Sequence, residues 1–522
     1  MMQLQNPVLR GFNPDPSFLR VGEDYYIATS KFEWFPGVAI YHSRDLVNWR
    51  MLGHGLTRKS QLDLVGIPDS GGIWAPALSM HDGIYYLVYT IVRNRLGAFK
   101  DVHNYLVTAP EITGPWSEPI YLNSSGFDPS LFHDDDGRKW VVNVQWDHRP
   151  AHPRFGGIVL QEYSSTQQRL IGPVVNICRK VPLIEGPNIY KANGFYYLML
   201  AEGGTDWNHG ISMARSKTIA GPYELDPQPL VLTSRKSPGA ALQKAGHGEL
   251  IQTVSGRWYL AHLCSRALYP DRRCPLGRET AIQEVVWTAD GWLRLKSGGT
   301  DPQNQCDVAE STKPHVWSAE PDRDDFNSPH LSPHWQSLRD PVAPDWADTS
   351  ERPGFLRLRG RESPHSLFQQ SILAQRIQSF HATAQCVLEF DPKHFSQCAG
   401  LIIYYDTRHH CYLRVTHDET LGKVVGVVQT DAGVYLEHTP CQIAISDWPR
   451  IFLKAVIHDE TLEFQASADG QVWHSFPVTC DFTKLSADYA GGFTGAFAGL
   501  CAQDLGGTRA VADFDYFQLQ NH

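Results

Sequence analysis

The chain has 522 residues, of which 42% are hydrophobic, 20% charged and 11% aromatic, with 46 basic against 56 acidic side chains. At roughly 150 residues per domain this length predicts two to four domains, and the apolar content excludes disorder as the main state. A net charge of −10 excludes a large nucleic-acid footprint, which needs a basic face.

The first residues, 1–18, contain no long apolar core and no cleavage signature, so no secretion leader is expected there. No run of 18 apolar residues occurs, so no membrane-spanning helix is expected. The ten cysteines include no Cys-x-x-Cys pair; they read as reduced thiols of a cytoplasmic protein rather than as zinc ligands.

Five echoes run through the first 300 residues. Asp15-Pro-Ser-Phe-Leu leads to Gly22-Glu-Asp-Tyr-Tyr-Ile, and Ala75-Pro-Ala-Leu to Gly83-Ile-Tyr-Tyr-Leu. Asp128-Pro-Ser-Leu-Phe, Gly186-Pro-Asn-Ile-Tyr and His247-Gly-Glu-Leu-Ile repeat the pattern, each followed by a Gly turn and an aromatic run. The second positions fall at 16, 76, 129, 187 and 248, spaced by 60, 53, 58 and 61 residues. Each unit predicts a strand, a tight turn, an aromatic return strand, a third strand such as Val38-Ala-Ile-Tyr-His, and a Gly/Pro/Trp-rich end. Five four-stranded sheets set radially make a β-propeller over residues 1–305, which protects strand edges by circular repetition.

The repeated motif opens the innermost strand of each blade, so its leading residues should ring one mouth of the central cavity. They are Asp15, Ala75, Asp128, the Glu185-Gly186 pair and His247. Three carboxyls converging on one hollow is costly unless they do chemistry. Glycosidic hydrolysis needs two carboxyl groups, one to protonate the leaving oxygen and one to activate water or attack the sugar. Asp15, Asp128 and Glu185 are the candidates; Glu202 is a competitor that follows its blade's second strand. Phe32, Trp74, Phe127 and Trp146 flank the motif and suit the C–H faces of a sugar ring. Asp134-Asp-Asp-Gly137 lacks the spacing and distal Glu of a calcium loop and reads as a hairpin turn.

After residue 300 the composition shifts. Residues 306–323 read as a polar linker. From 324 to 522 short alternating strands recur, among them Phe355-Leu-Arg-Leu-Arg, Ala399-Gly-Leu-Ile-Ile-Tyr-Tyr, Ile451-Phe-Leu-Lys-Ala-Val and Ala512-Asp-Phe-Asp-Tyr-Phe. They predict a β-sandwich, so the chain as a whole is expected to be all-β.

Six motifs in order carry a resemblance: Gly11-Phe-Asn-Pro-Asp-Pro-Ser, Phe32-Glu-Trp-Phe-Pro-Gly-Val, Trp74-Ala-Pro-Ala, Gly126-Phe-Asp-Pro-Ser, Ile184-Glu-Gly-Pro and Gly246-His-Gly. Together with Gly492-Phe-Thr-Gly-Ala-Phe and the Ala512 strand, the chain resembles glycoside hydrolase family 43, and within it the β-xylosidase group, over nearly its full length. The resemblance implies an inverting mechanism with Asp15 as general base, Glu185 as general acid and Asp128 as the carboxylate that orients the acid and raises its pKa. It implies that Arg278, in Gly277-Arg-Glu-Thr, contacts substrate hydroxyls, with Glu279 as a rival salt-bridge partner for it. It also implies that the sandwich packs on the propeller and sends Phe493, or alternatively Phe497, toward the cavity.

A pocket closed in this way admits only chain ends. The expected activity is exo release of xylose from β-1,4-xylooligosaccharides, with α-L-arabinofuranosidase side activity. A dedicated arabinofuranosidase and a non-catalytic sugar-binding propeller are the alternatives. An invertase-type propeller would start Asn-Asp-Pro-Asn; here the start is Asn13-Pro-Asp-Pro. No cofactor is expected to be required. In some members His247 would help hold a central calcium through waters, although calcium prefers oxygen donors. The resemblance further implies a dimer or tetramer.

Overall fold

The computed structural model describes residues 2–180, 183–308 and 314–522. Among them the only α-helix is the four-residue Ala487–Ala490; apart from two single 3-10 turns, Thr439–Cys441 and Phe482–Lys484, strands make up the rest of the regular structure. No helix is long and apolar enough to cross a membrane.

Five sheets follow one another between Ser17 and Leu295, each built from sequential antiparallel strands. The first runs Ser17–Val21, Asp24–Thr29, Gly37–Ser43 and Arg50–Leu56; the third runs Gly126–His133, Lys139–Trp146, Phe155–Ser164 and Arg169–Cys178. Their return strands are apolar on both faces, as in Tyr197, Leu198, Met199, Leu200 and Ala201 of the fourth sheet, all buried. The second sheet departs from the pattern. Its innermost strand is split into Gly72–Ile73 and Ala77–His81, both paired with Ile84–Asn94, with Trp74-Ala-Pro between them.

Residues 306–308 of the expected linker lie in the strand Gln305–Val308, which pairs with Met2–Gln5 and ties the two ends of the propeller segment together. Residues 309–313 of that linker lie outside the described residues. Arg323–Asp324 already pairs with the last strand, Val511–Asn521. The remainder folds into two packed sheets whose facing side chains, such as Leu401, Leu413, Leu453, Phe464 and Phe514, form one core.

The two units share more than a linker. Trp34–Phe35, from the first blade, adds to the edge of a sandwich sheet by pairing with Gln336–Leu338. Trp34 stacks on Phe497 with ring centroids 4.0 Å apart, and one apolar cluster runs from Phe12, Phe32 and Trp74 through to Leu338, Tyr404 and Phe497. At roughly 25 cal/mol per Å², burying an aromatic side chain of ~200 Å² contributes on the order of 5 kcal/mol. Buried Arg339 of the sandwich donates to Ile67 O (2.7 Å) and to Asp69 Oδ1 (2.7 Å) of the propeller. Phe497, the alternative to Phe493, is therefore interface core.

Candidate active site

Four of the five repeat-leading residues have left-handed backbone: Asp15 (φ 54°), Asp128 (51°), Gly186 (55°) and His247 (38°). For Asp15, Asp128 and His247 this costs about 1–3 kcal/mol each, strain of the kind held at functional sites. In the third, fourth and fifth blades the ladder register also breaks at this point, between Phe127 and Ser130, Glu185 and Asn188, and Gln243 and Gly248. Such a bulge re-aims side chains that a regular strand would alternate between faces. The repeat has a further consequence for register. Gly186, not Glu185, is the residue equivalent to Asp128, so Glu185 enters the site one residue earlier, at the position Phe127 holds in the third blade.

These strands bring Asp15, Asp128, Glu185, Phe32, Trp74, Phe127, His247 and Arg278 to the wall of one pocket, which Ala75, Thr205 and Phe493 complete. Asp15 is oriented by two donors. Ser30 Oγ donates to its Oδ2 (2.6 Å), and Arg278 Nη1 donates to its Oδ1 (2.6 Å). The loop before it is locked by Asn13, whose N–H donates to Arg278 O (2.8 Å) and whose Oδ1 accepts from Tyr41 OH (2.6 Å). His247 Nδ1 lies 3.6 Å from Asp15 Oδ1.

Burial pushes the Glu185 carboxyl up to about 7, with repulsion from Asp15 adding to it and the Arg278 and Lys100 cations opposing. Asp128 is also pushed well up, by burial first and then by Glu185 and Asp15, against a hydrogen bond from the Gly186 N–H. Asp128 and Glu185 thus behave as one pair that retains a proton near neutral pH. Burial lowers the His247 imidazole, opposed by Asp15, which keeps the ring neutral at pH 7.

Gly186 is required by the space as well as by its dihedral. A Cβ there would stand 2.9–3.1 Å from three atoms of the His247 ring. Gly186→Ala is expected to destabilise the protein by about 1–3 kcal/mol and to lower kcat by displacing Glu185 next to it. Thermal melts together with kcat on an aryl xyloside check this; an unchanged melting midpoint with full activity would show that the ring moves aside freely.

Residues 4–293 match glycosyl hydrolases family 43, and residues 323–520 match the beta xylosidase C-terminal concanavalin A-like domain. The chain belongs to glycoside hydrolase family 43. It is 45% identical to the beta-xylosidase of Bacillus subtilis (strain 168), over 99% of this chain and all of that one. It is 48% identical to the xylosidase/arabinosidase 43B of Humicola insolens, over 99% and 97% of the two chains. A crystal structure of xylan beta-1,4-xylosidase from Bacillus halodurans C-125 superposes with a TM-score of 0.97 at 53% identity, covering 99% of this chain and all of that one.

This family 43 hydrolase departs from the sequence reading at Trp146. Trp146 does not line the pocket. It lies behind Phe127, at 6.3 Å between ring centroids, and its indole N–H donates to Ala98 O (2.9 Å), because the strand carrying it ends in a register shift that turns it toward the 95–100 loop. The rival pairing of Arg278 with Glu279 does not form. Glu279 accepts from Arg266 through both oxygens (2.7 and 2.8 Å) and from the Gly11 N–H, while Arg278 turns to Asp15. Glu202 is held by Lys180 and is absent from the pocket wall. The Asp134 segment is a turn, closed by hydrogen bonds between Asp134 and both Gly137 and Arg138.

Phe493 arrives from the sandwich. Its N–H donates to Ser70 Oγ (2.9 Å), and its ring packs 5.9 Å from Phe32 and 5.6 Å from Trp74. The segment before it is fixed by Asp488, which accepts from Lys244 and from the Cys274 N–H (2.9 Å) of the propeller. Thr205 and Lys100 escaped the sequence reading. Thr205 sits in a loop without a repeat signature; Lys100 lies 5.3 Å from the Trp74 ring and 4.6 Å from that of Trp146, and close enough to Glu185 to lower its pKa.

Among the described residues His247 has no set of neighbours spaced to ligate an ion directly with it. It belongs to no group of three His, Cys, Asp or Glu side chains with metal-like spacing among the described residues, and the Arg278 cation acts on it. A hard cation prefers six to eight oxygens.

Proposed function

We propose that the protein is an exo-acting, inverting β-xylosidase. It removes xylose from the non-reducing ends of β-1,4-xylooligosaccharides and has α-L-arabinofuranosidase side activity. The observation that carries this reading is the meeting of Asp15, Asp128 and Glu185 on the wall of a single pocket that Phe493 of the sandwich helps to close.

In this reading Asp15, held by Ser30 and Arg278, takes the proton of the attacking water. Glu185, protonated near neutral pH, delivers its proton to the leaving oxygen. Asp128 keeps that proton on the pair by repulsion. Inversion follows from acid and base on opposite sides of the sugar, about 6.5–9.5 Å apart, with room for water. Phe32, Trp74, Phe127 and Phe493 pack on the C–H faces of the bound ring. Arg278 Nε, buried without a protein acceptor among the described residues, is free to bind a sugar hydroxyl, and His247 hydrogen-bonds to the sugar beside it. The reaction so described draws on side chains alone and needs no cofactor. The wall contributed by the sandwich supports cleavage at chain ends. The ten unpaired cysteines support a reducing, cytoplasmic setting, and self-association into dimers or tetramers is part of the same reading.

A time course on xylotriose tests it. Xylose and xylobiose should appear from the start, with proton NMR showing α-xylose formed first from the β-linked substrate. Retention at the anomeric carbon would overturn the mechanism. The name of the Humicola relative, which joins xylosidase and arabinosidase, supports the side activity; a tenfold or greater kcat/KM preference for aryl arabinofuranoside over aryl xyloside would instead establish a dedicated arabinofuranosidase.

A further inference from the structure

Away from the pocket, the sandwich carries a group of side chains that the glycosidase chemistry leaves unused. His381 opens the strand His381–Glu389, and His458 closes the neighbouring strand Ile451–His458. The register places them directly opposite each other. Their rings stack 4.4 Å apart at 13°, and Asp459 follows His458 in the turn. His381 Nε2 lies 3.2 Å from Asp459 Oδ1, and His458 Nδ1 lies 3.8 Å from Asp459 Oδ2. One ligating atom from each of the three falls within 4.8 Å of the others, the only such group among the described residues.

We propose that His381, His458 and Asp459 form a binding site for one borderline transition-metal dication, of the Zn²⁺, Co²⁺, Ni²⁺ or Cu²⁺ class. The ligand chemistry selects that class. Two imidazoles and a carboxylate are the donors such ions favour, whereas calcium and magnesium take all-oxygen sets. The spacing fits as well. Two ligands ~2.1 Å from a tetrahedral centre stand ~3.4 Å apart, a value bracketed by the two His–Asp distances on this surface. Rotation about the side-chain bonds of these exposed residues would turn their donor atoms onto one centre, and water completes the coordination.

The backbone beneath the three ligands is held in place. Asp459 has left-handed backbone (φ 50°), and its N–H donates to Phe380 O (2.9 Å), next to His381 across the strand pair. On the other side, the His522 N–H donates to His381 O (2.8 Å). Three segments far apart in the chain are thus fixed at one point, so an ion there would clamp the turn at 459–460 to the start of the 381–389 strand. The side chains are 41–71% exposed, which leaves the ion an open path.

The test uses the full chain, stripped with a chelator and titrated with Zn²⁺ by calorimetry and with Co²⁺ by visible absorption. One equivalent should bind, with a d–d spectrum that Zn²⁺ displaces and Ca²⁺ does not. His381→Ala, His458→Ala and Asp459→Asn should each weaken binding by at least about tenfold, since lost support around a metal alone commonly costs 10–100-fold. Hydrolysis of an aryl xyloside should be unchanged in all three, which also shows that they fold. The milder His458→Gln serves if an alanine variant proves unstable. Failure of the parent to bind one equivalent, or binding by the His381→Ala/His458→Ala double variant as tight as the parent's, overturns the proposal.

Discussion

Replacing Glu185 by Ala is expected to cut kcat/KM on xylobiose by about 10³–10⁴-fold while leaving aryl xylosides of acidic phenols far less affected. The asymmetry follows from what the residue supplies. A sugar alkoxide is a poor leaving group and must be protonated as the bond breaks; an acidic phenolate departs without help. Glu185 is placed to give that proton because burial raises its carboxyl to about 7, so a large share is protonated at neutral pH. Asp15→Ala should behave differently. Activation of water is needed whatever group departs, so the loss, about 10²–10⁴-fold, should be the same across the substrate series. Ser30 and Arg278 would remain to line an otherwise intact site. Measuring kcat/KM on xylobiose and on phenols of graded acidity separates the two roles. A Glu185→Ala loss independent of the phenol would remove the general-acid assignment, and full activity in Asp15→Ala would remove the base.

The second large effect is in pH dependence. In the proposed mechanism Glu185 acts with its proton on, so kcat/KM should fall as pH rises through about 7, tenfold per unit beyond it. Asp128→Asn removes the carboxyl that shares the pair's proton, and with it the repulsion between the two carboxylates that arises once that proton leaves. The acid should then lose its proton more readily, and the alkaline limb should move down by about one unit, with kcat lowered about 10²-fold through lost orientation. Burial remains, so the limb should stay above the ordinary glutamate value of 4.5. Stability should move the other way. A carboxyl whose folded pKa lies above its unfolded one binds more protons folded than unfolded between the two values. Its contribution is therefore fully present below 4.5 and is lost as pH rises through about 7. Asp128→Asn relieves that repulsion and should melt at a temperature equal to or above the parent's at pH 8. An alkaline limb that stays in place, or a variant that melts well below the parent at pH 8, would show that the two carboxyls do not act as a pair.

Much of this molecule is written locally. The spacing of the five motifs determined the propeller, because each echo specifies a strand, a Gly turn and an aromatic return, and those are short-range preferences. Alternation after residue 324 determined the sandwich in the same way. Asp15 and Asp128 were legible because a repeat places equivalent residues at equivalent points around an axis, and Glu185 because it directly precedes such a position. Tertiary structure alone decided the rest. Whether Arg278 met Asp15 or Glu279, whether Trp146 reached the pocket, and that Lys100 and Thr205 stand near it all depend on side-chain directions set by bulges and by loops without repeats. The same holds for Phe493 and for the stacked pair His381 and His458. Each unites residues that no local pattern links; the docking of the sandwich on the propeller fixes the first distance, and strand pairing within one sheet fixes the second.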